Sequence, residues 1–398
     1  MKRYRLIIFI ATIIFLLISC SQKEKLNVYE IINTKILVFP LDSMGSGKPY
    51  DALFRKNPYN YCFIDGIETL IIPINKNRLA FYNLTTQKEY HSVPILQNRS
   101  IRNFNFVSKD SIFVFYEIEY IDTTHSKYEP MYLQLLNYAG EAKICEYNID
   151  ISNFDDCDDI KLSFDIDKYR YPIIANNSLF FTTETSINNI GTKTYLEKQL
   201  PIFACYDAQT KKIKLSKNIK FPDISEGIFY NTNFSKLNYC LSANNLPLLR
   251  FFYSSTVYEW DYRNDQIIPH SLKSRIIDTI PPLKTEYALP QSLNAVYGEI
   301  NYDKYNKIYY SYLYLNEILY GNYYSILILT DDKFNYLGEL LNPPMDWNVR
   351  FSKDNIVSYY YYNDSIHVYF QKLIKTNRSL LPYLDSVRTV LGLQKQAI

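Results

Sequence analysis

The sequence has few of the residues and motifs that commonly reveal a function. It contains only 10 glycines and 4 histidines among 398 residues, and the histidines (His91, His125, His270 and His367) form no H-x-H, H-E-x-x-H or H-x-x-E-H motif. It also lacks a G-x-S-x-G elbow, a G-x-G-x-x-G loop and a P-loop. The sequence therefore predicts no metal site and no cofactor, and it identifies no catalytic residue, although histidines from distant segments could still converge in the fold.

Charge and composition narrow the class of protein further. The chain is 47% hydrophobic and 21% charged, which is typical of a globular protein rather than a disordered one. Its formal net charge is +2, and removal of residues 1–19, with Lys2, Arg3 and Arg5, would lower this charge to −1. This balance gives no indication of a nucleic-acid partner.

The N-terminus predicts export. A basic start is followed by the apolar run Leu6–Ile18, which is too short to span a bilayer and is typical of a signal peptide. Leu17–Cys20 (LISC) resembles the bacterial lipobox, which implies cleavage before Cys20 and a diacylglycerol anchor on that thiol. Ser21 favours the outer membrane by the same resemblance, while the periplasmic or surface orientation stays open. The alternative is an ordinary signal peptide with a chance cysteine.

Cysteine usage predicts free thiols in the folded part. Five cysteines follow Cys20, and an odd number in an exported protein leaves at least one unpaired: Cys62, Cys145, Cys157, Cys205 and Cys240. Cys205 lies in an apolar strand, as a buried thiol would. We expect buried free thiols, and a single disulfide such as Cys145–Cys157 is the alternative.

After Cys20 the chain alternates short β-rich runs with polar turns. No later hydrophobic run is long enough to span a membrane, and no low-complexity linker divides the chain. Because glycine is scarce, Asn and Asp are expected to supply the positive-φ turn positions. The predicted strands are Ile36–Leu41, Thr69–Pro73, Arg78–Leu84, Ser111–Tyr116, Met131–Asn137, Ser178–Thr183, Ile202–Asp207, Thr256–Tyr262, Lys307–Leu313, Ser325–Thr330, Ile356–Tyr362 and Ile366–Leu373.

A polar turn recurs after several of these runs and predicts the fold. The five copies of this turn begin at Asn83, Asn137, Asp207, Asp261 and Asp331. Successive copies are 54, 70, 54 and 70 residues apart, and the mean spacing is 62 residues. This period is a little longer than a four-stranded propeller blade. We predict an all-β, six-bladed β-propeller, with seven blades as the alternative if the two termini build separate blades.

The two ends of the chain predict how the ring closes. Ile36–Leu41 has no preceding hairpin, and no fourth strand clearly follows Ile366–Leu373, so pairing the two would remove an open sheet edge. Ser379–Gln394 predicts a short amphipathic helix outside the ring. The predicted organisation is a signal peptide (1–19), a lipidated cysteine and tether (20–30), the propeller (31–378) and a helical tail (379–398).

Two stretches are candidate sites. The acidic cluster Asp155–Asp159, with Asp165 and Asp167, could hold Ca²⁺, but it lacks the glycine and distal glutamate of an EF-hand, so a solvated loop is favoured. The tyrosine run Tyr359–Tyr362 could form a sugar-stacking platform. Ordinary blade packing is favoured, because alternate residues of a strand point to opposite faces.

A family resemblance agrees with this pattern. The lipobox, RLAFYNLTTQKEY, YDKYNKIYYSYL from Tyr302 and SILILTDDKFNYLGEL from Ser325 are similar to uncharacterised propeller lipoproteins of Bacteroidetes, the domain of unknown function 4221. The resemblance implies a TolB-like propeller and a lipid anchor, and it brings no catalytic residues. We therefore expect a non-enzymatic cell-envelope module, anchored in the membrane through Cys20, that binds a protein or glycan. The alternatives are a hydrolase or lyase acting on a sugar or ester at the propeller funnel, and a ligand-sensing protein.

Overall fold

The computed structural model describes the parts of the chain that form the sheets, their turns and the C-terminal helix. These are residues 27–40, 59–74, 77–96, 101–116, 133–144, 160–161, 173–176, 178–182, 184–185, 202–207, 210, 212–219, 237–252, 254–277, 295–315, 324–344, 349–362 and 365–391.

The described strands form six four-stranded antiparallel sheets, which are the blades of a propeller. The first strand, β1 (Asn27–Pro40), belongs to the last blade. Blade 1 is β2 (Asn60–Ile64), β3 (Ile67–Ile74), β4 (Arg78–Asn83) and β5 (Lys88–Pro94). Blade 2 is β6 (Ile101–Ser108), β7 (Ser111–Tyr116), β8 (Leu133–Leu136) and β9 (Ala142–Ile144). A two-stranded sheet, β10 (Ile160–Lys161) and β13 (Glu184–Thr185), accompanies blade 3, which is β11 (Ile173–Ala175), β12 (Ser178–Thr182), β14 (Phe203–Asp207) and β15 (Lys212–Leu215).

The second half of the ring has the same plan. Blade 4 is β16 (Leu237–Leu241), β17 (Pro247–Phe251), β18 (Thr256–Asp261) and β19 (Gln266–Ser271). Blade 5 is β20 (Ala295–Asp303), β21 (Ile308–Leu315), β22 (Tyr324–Asp331) and β23 (Tyr336–Leu341). Blade 6 is β24 (Arg350–Phe351), β25 (Ile356–Tyr362), β26 (Ser365–Ser379) and then β1. The predicted count of six blades is confirmed.

The N- and C-terminal strands close the ring, as predicted. β1 runs antiparallel along β26, with Leu37 opposite Val368 and Phe39 opposite Ile366. β1 begins at Asn27, inside the segment expected to be tether, because β26 continues to Ser379 and offers it a partner there. Side chains from both ends pack on blade 1, and the rings of Tyr59 and Tyr359 meet edge to face at 4.6 Å.

The recurrent polar residue caps one equivalent turn in each of the first five blades. Asn83, Asp207, Asp261 and Asp331 end the third strand of blades 1, 3, 4 and 5, and Asn137 follows the third strand of blade 2. In each, the side-chain Oδ1 accepts a backbone N–H within the turn, at 2.8 to 3.1 Å. In blade 6 the third and fourth strands come from opposite ends of the chain, so this turn does not exist there. This explains why a propeller of six blades has only five of these turn-capping residues.

Asparagine and aspartate also take most of the strained turn positions, as expected from the low glycine content. Among the described residues, five of the eight non-glycine positions with positive φ are of these two types: Asp65, Asn176, Asn245, Asp265 and Asn342. These side chains tolerate the left-handed region better than most.

The predicted C-terminal helix is present as α1 (Leu380–Val390) and lies outside the ring. Its apolar face, with Leu384 and Val387, packs against the core formed by blades 4 and 5. Tyr383 accepts a hydrogen bond from the Leu341 backbone N–H at 2.9 Å, which fixes the helix to the edge of blade 5. Within the described ranges, no helix combines the length and apolar character needed to cross a bilayer.

Candidate functional site: the central cavity

A cavity of about 600 Å³ lies where the first strands of all six blades meet. We call it the central cavity. Its described lining comes from β2, β6, β11, β16, β20 and β24 with the residues that adjoin them: Asn60, Asn105, Val107, Ile173, Ile174, Asn238, Tyr239, Cys240, Leu241, Ser242, Ala243, Asn245, Glu299, Ile300, Asn301, Tyr302, Lys304, Val349, Arg350 and Phe351. Pockets of this size, in which a few polar groups stand among apolar ones, are typical ligand sites.

Amide side chains dominate the polar part of the lining. Four first strands, β2, β6, β16 and β20, each contribute an asparagine: Asn60, Asn105, Asn238 and Asn301. Asn60 is only 5% exposed, and its buried Nδ2 has no hydrogen-bond partner among the described residues. An amide left in this state is costly in free energy unless something supplies an acceptor. Asn60 therefore leaves one buried hydrogen-bond donor on the blade 1 side of the cavity without an acceptor among the described residues.

A β-bulge presents the carboxylate of Glu299 to the cavity. Between the pairs Tyr297–Leu313 and Ile300–Ser311, β20 carries one extra residue relative to β21. Such bulges re-aim side chains and are frequent beside functional sites. Tyr314 donates a hydrogen bond to Glu299 Oε2 at 2.8 Å. A β-carbon on Gly298 would lie 2.2 Å from the Tyr314 ring, so only glycine lets this ring pack against the bulge.

Two side chains of blade 4 donate hydrogen bonds to the backbone of the bulge. Asn238 donates from Nδ2 to the carbonyl oxygen of Gly298 at 2.6 Å. Arg250, which is fully buried, donates from Nη2 to the same oxygen at 2.5 Å and from Nη1 to Ser311 Oγ at 2.5 Å. Its guanidinium also lies over the Tyr297 ring, 4.8 Å from the centroid. Burial lowers the pKa of Arg250 to about 10, which leaves it cationic at neutral pH.

The charged groups of the described lining have mixed signs. Glu299 is the one carboxylate among them, and Lys304 and Arg350 are the cations. Tyr302 and Phe351 add aromatic surface near these groups. The site can therefore offer hydrogen-bond donors, acceptors and apolar faces to one ligand.

The described histidines do not converge on the cavity. His91 lies on β5, stacks on Tyr138 at 3.8 Å between ring centroids and has its Nε2 2.7 Å from the carbonyl oxygen of that residue. His270 lies on β19 and stacks on Phe334 at 4.1 Å. His367 lies on β26, beside Tyr369. Among the described residues, no three His, Cys, Asp or Glu side chains are grouped closely enough to hold a metal ion.

Three of the predicted free thiols lie in the described part of the chain, and all three are unpaired: Cys62, Cys205 and Cys240. Cys205 is buried as predicted, whereas Cys62 and Cys240 are half-buried. Burial raises the pKa of Cys205 to about 11 and that of Cys62 and Cys240 to about 12, so these thiols are protonated at neutral pH. Cys240 also lines the cavity, a position that its sequence context did not indicate.

The remaining sequence candidates fall into two groups. Tyr359 is fully buried and packs on Tyr59, which is the blade-packing role favoured above, while Tyr360 is 38% exposed. Cys20, Cys145, Cys157, His125 and the acidic cluster Asp155–Asp159 with Asp165 and Asp167 lie outside the described residues.

Fold and cavity together define a six-bladed β-propeller with a central cavity of mixed polar and apolar lining. The family model described as "Domain of unknown function (DUF4221)" matches residues 140–341, half of the chain, so the protein belongs to this family. A crystal structure of a DUF4221 family member from Bacteroides vulgatus ATCC 8482 is similar to it, with a TM-score of 0.55 and 16% identity. That match covers 88% of this chain and 100% of the other, and at this identity it supports the fold alone. No curated protein matches the sequence.

Proposed function

We propose that the protein is a lipid-anchored, non-enzymatic binding module of the cell envelope that holds a glycan or a protein segment in its central cavity. The observation that carries this proposal is the buried Nδ2 of Asn60, which has no partner among the described residues, beside a cavity of mixed polar and apolar lining to which all six blades contribute. A cavity of about 600 Å³ suits a short oligosaccharide or peptide segment rather than a folded domain.

The chemistry of the described lining favours binding over hydrolysis. Most glycoside hydrolases need two carboxylates that face each other across the scissile bond. The described lining places Glu299 in the cavity without a second carboxylate and without a histidine. The asparagine side chains supply donors and acceptors but are not general bases, so Glu299 is the one carboxylate of the described lining that could act as one.

The proposed anchor would keep the ring close to the membrane. Cys20 precedes the start of β1, at Asn27, by seven residues. Seven extended residues reach at most about 25 Å. A lipidated Cys20 would therefore place the propeller where it meets envelope glycans and proteins.

Co-purification with a cavity-filling variant tests the proposal. Val107 lines the cavity and is 51% exposed, so Val107→Trp fills space without disturbing the core. Ile268, 47% exposed on the outer strand β19, gives the matched control Ile268→Trp. The three full-length proteins are extracted from the native envelope in mild detergent, and the released glycans and peptides are measured by mass spectrometry.

We expect one species to be enriched with the wild type and with Ile268→Trp, and to be lost with Val107→Trp. Equal recovery from all three proteins would place the contact elsewhere on the ring. Recovery of no species from the wild type would argue against a stable cavity ligand.

A further inference from the structure

We infer that Glu299 is the ligand-contacting carboxylate of the central cavity and that its ligand is a neutral, hydroxyl-rich molecule, a short oligosaccharide. This inference rests on the proposed function and specifies its ligand class. It starts from two polar groups in the lining that come from separate blades: the amide of Asn60 in blade 1 and the carboxylate of Glu299 in blade 5.

The presentation of Glu299 is built with buried groups. The bulge that carries it depends on Gly298, against which Tyr314 packs, and on the buried guanidinium of Arg250. Arg250 donates to Gly298 O, Ser311 Oγ and Tyr312 O, and the negative charge of Glu299 also favours its cationic form. A bulge that is held by buried groups and that places one carboxylate in the lining of a cavity is frequent beside functional sites.

The charges of the described lining select no single sign of ligand charge. An anion would meet Glu299, and a cation would meet Lys304 and Arg350, which line the same cavity. Like charges brought together in a partly buried site weaken binding, and opposite charges strengthen it. A neutral ligand is compatible with this mixed lining.

The hydrogen-bonding groups favour hydroxyls. Glu299 Oε2 accepts from Tyr314, and a carboxylate has lone pairs for further donors, so Glu299 can accept another bond. The Nδ2 of Asn60 has no hydrogen-bond partner among the described residues. A hydroxyl both donates and accepts, so the several hydroxyls of an oligosaccharide can bond to an acceptor in one blade and to a donor in another. Tyr302 and Phe351 supply the apolar faces on which a sugar ring packs.

Isothermal titration of the full-length, detergent-solubilised protein tests the inference. The probes are neutral trisaccharides of glucose, xylose, mannose and N-acetylglucosamine, with trialanine as the peptide probe. Glu299→Gln keeps the shape of the side chain and removes its charge, and the exposed Glu141→Gln is the matched control. Asn60→Leu is a second variant, because it breaks no hydrogen bond of Nδ2 to the described residues.

We expect one trisaccharide to bind the wild type and Glu141→Gln equally, and to bind Glu299→Gln and Asn60→Leu about tenfold more weakly, because the first variant loses a charged acceptor and the second loses a buried donor. Binding of trialanine alone would overturn the ligand class while the cavity-binding proposal stands. A trisaccharide that binds Glu299→Gln as tightly as the wild type would overturn the role of Glu299. Binding of no probe to the wild type would overturn both the inference and the proposed function.

Discussion

Arg250 of blade 4 donates a hydrogen bond of 2.5 Å from Nη2 to the carbonyl oxygen of Gly298 in blade 5. This bond joins two neighbouring blades and holds the bulge that turns Glu299 toward the central cavity. One buried side chain therefore serves both the stability of the ring and the geometry of the site.

Replacing Arg250 by Met tests its role in the stability of the ring. The change leaves the Gly298 carbonyl with one donor fewer and Ser311 Oγ without the Arg250 donor. We expect the free energy of unfolding to fall by about 2 to 3 kcal/mol, the cost of buried polar groups that lose their partners. The measurement is urea unfolding followed by fluorescence. Arg263→Met, at an exposed position of the same blade, should change the free energy of unfolding by less than about 0.5 kcal/mol. Equal effects of the two substitutions would show that the hydrogen bonds of Arg250 do not stabilise the ring.

Ring closure predicts a strong effect at the N-terminal strand. Phe39 is 3% exposed and meets Tyr82 of blade 1 edge to face, whereas its neighbour Val38 is 41% exposed. We expect Phe39→Ala to lower the free energy of unfolding by about 3 kcal/mol, because it leaves a cavity in the core. Val38→Ala should cost under about 0.5 kcal/mol. Chemical denaturation measures the free energy of unfolding of both variants. A loss for Phe39→Ala as small as that for Val38→Ala would contradict closure of the ring through β1.

The buried Glu339 predicts a pH-dependent difference in stability. It is fully buried on β23, and it accepts hydrogen bonds from Ser274 at 2.7 Å and from Tyr336 at 3.0 Å. Burial raises the pKa of Glu339 above its usual value of 4.5 in spite of these donors. The folded state therefore favours the neutral acid. The contribution of Glu339 to stability is complete below the unfolded pKa and is lost as the pH rises through the folded pKa.

The measurement is the Tm of Glu339→Gln minus that of the wild type, by calorimetry, at about pH 7 and about pH 4.5. Glutamine stays neutral throughout, so we expect this difference to be more positive at the higher pH. The exposed Glu141→Gln is the control. A Glu339→Gln difference that does not change with pH would contradict the prediction.

The lipid anchor is tested by Cys20→Ala. We expect the variant to lack the diacylglycerol and to move from the membrane fraction to the soluble fraction, because acyl chains anchor by burying methylenes worth about 0.8 kcal/mol each. Intact-mass spectrometry and membrane fractionation are the measurements, with Cys62→Ala as the control for loss of a thiol. A Cys20→Ala protein that is still acylated and membrane-bound would refute the anchor.

The strands that could be predicted are those buried on both faces. β3, β12 and β22 have long buried runs, so each reads as a continuous apolar stretch, and all three were predicted. The outer strands β15 and β19 alternate between exposed and half-buried residues, and their pattern is weak. The outer strand β1 was predicted in part, through Ile36–Leu41, which overlaps the C-terminal end of Asn27–Pro40.

The site could not be predicted because none of the six first strands was. Asn60, Asn238 and Glu299 interrupt the hydrophobic pattern of β2, β16 and β20, since these strands face a polar cavity. The bulge at Gly298 and its bond to Arg250, 48 residues away, depend on the contact between two blades, which no local pattern records. The regular turn residues, such as Asp261, were visible because their hydrogen bonds are local.

Saturation-transfer NMR of the full-length protein with the trisaccharide panel, followed over days in one sample, tests the central claim most directly. The spectra report binding and the chemical integrity of the ligand together. A cavity that binds without catalysis predicts transfer to one trisaccharide in the wild type, none in Val107→Trp, and ligand resonances that stay unchanged. The appearance of product resonances, or transfer that persists in Val107→Trp, would contradict it.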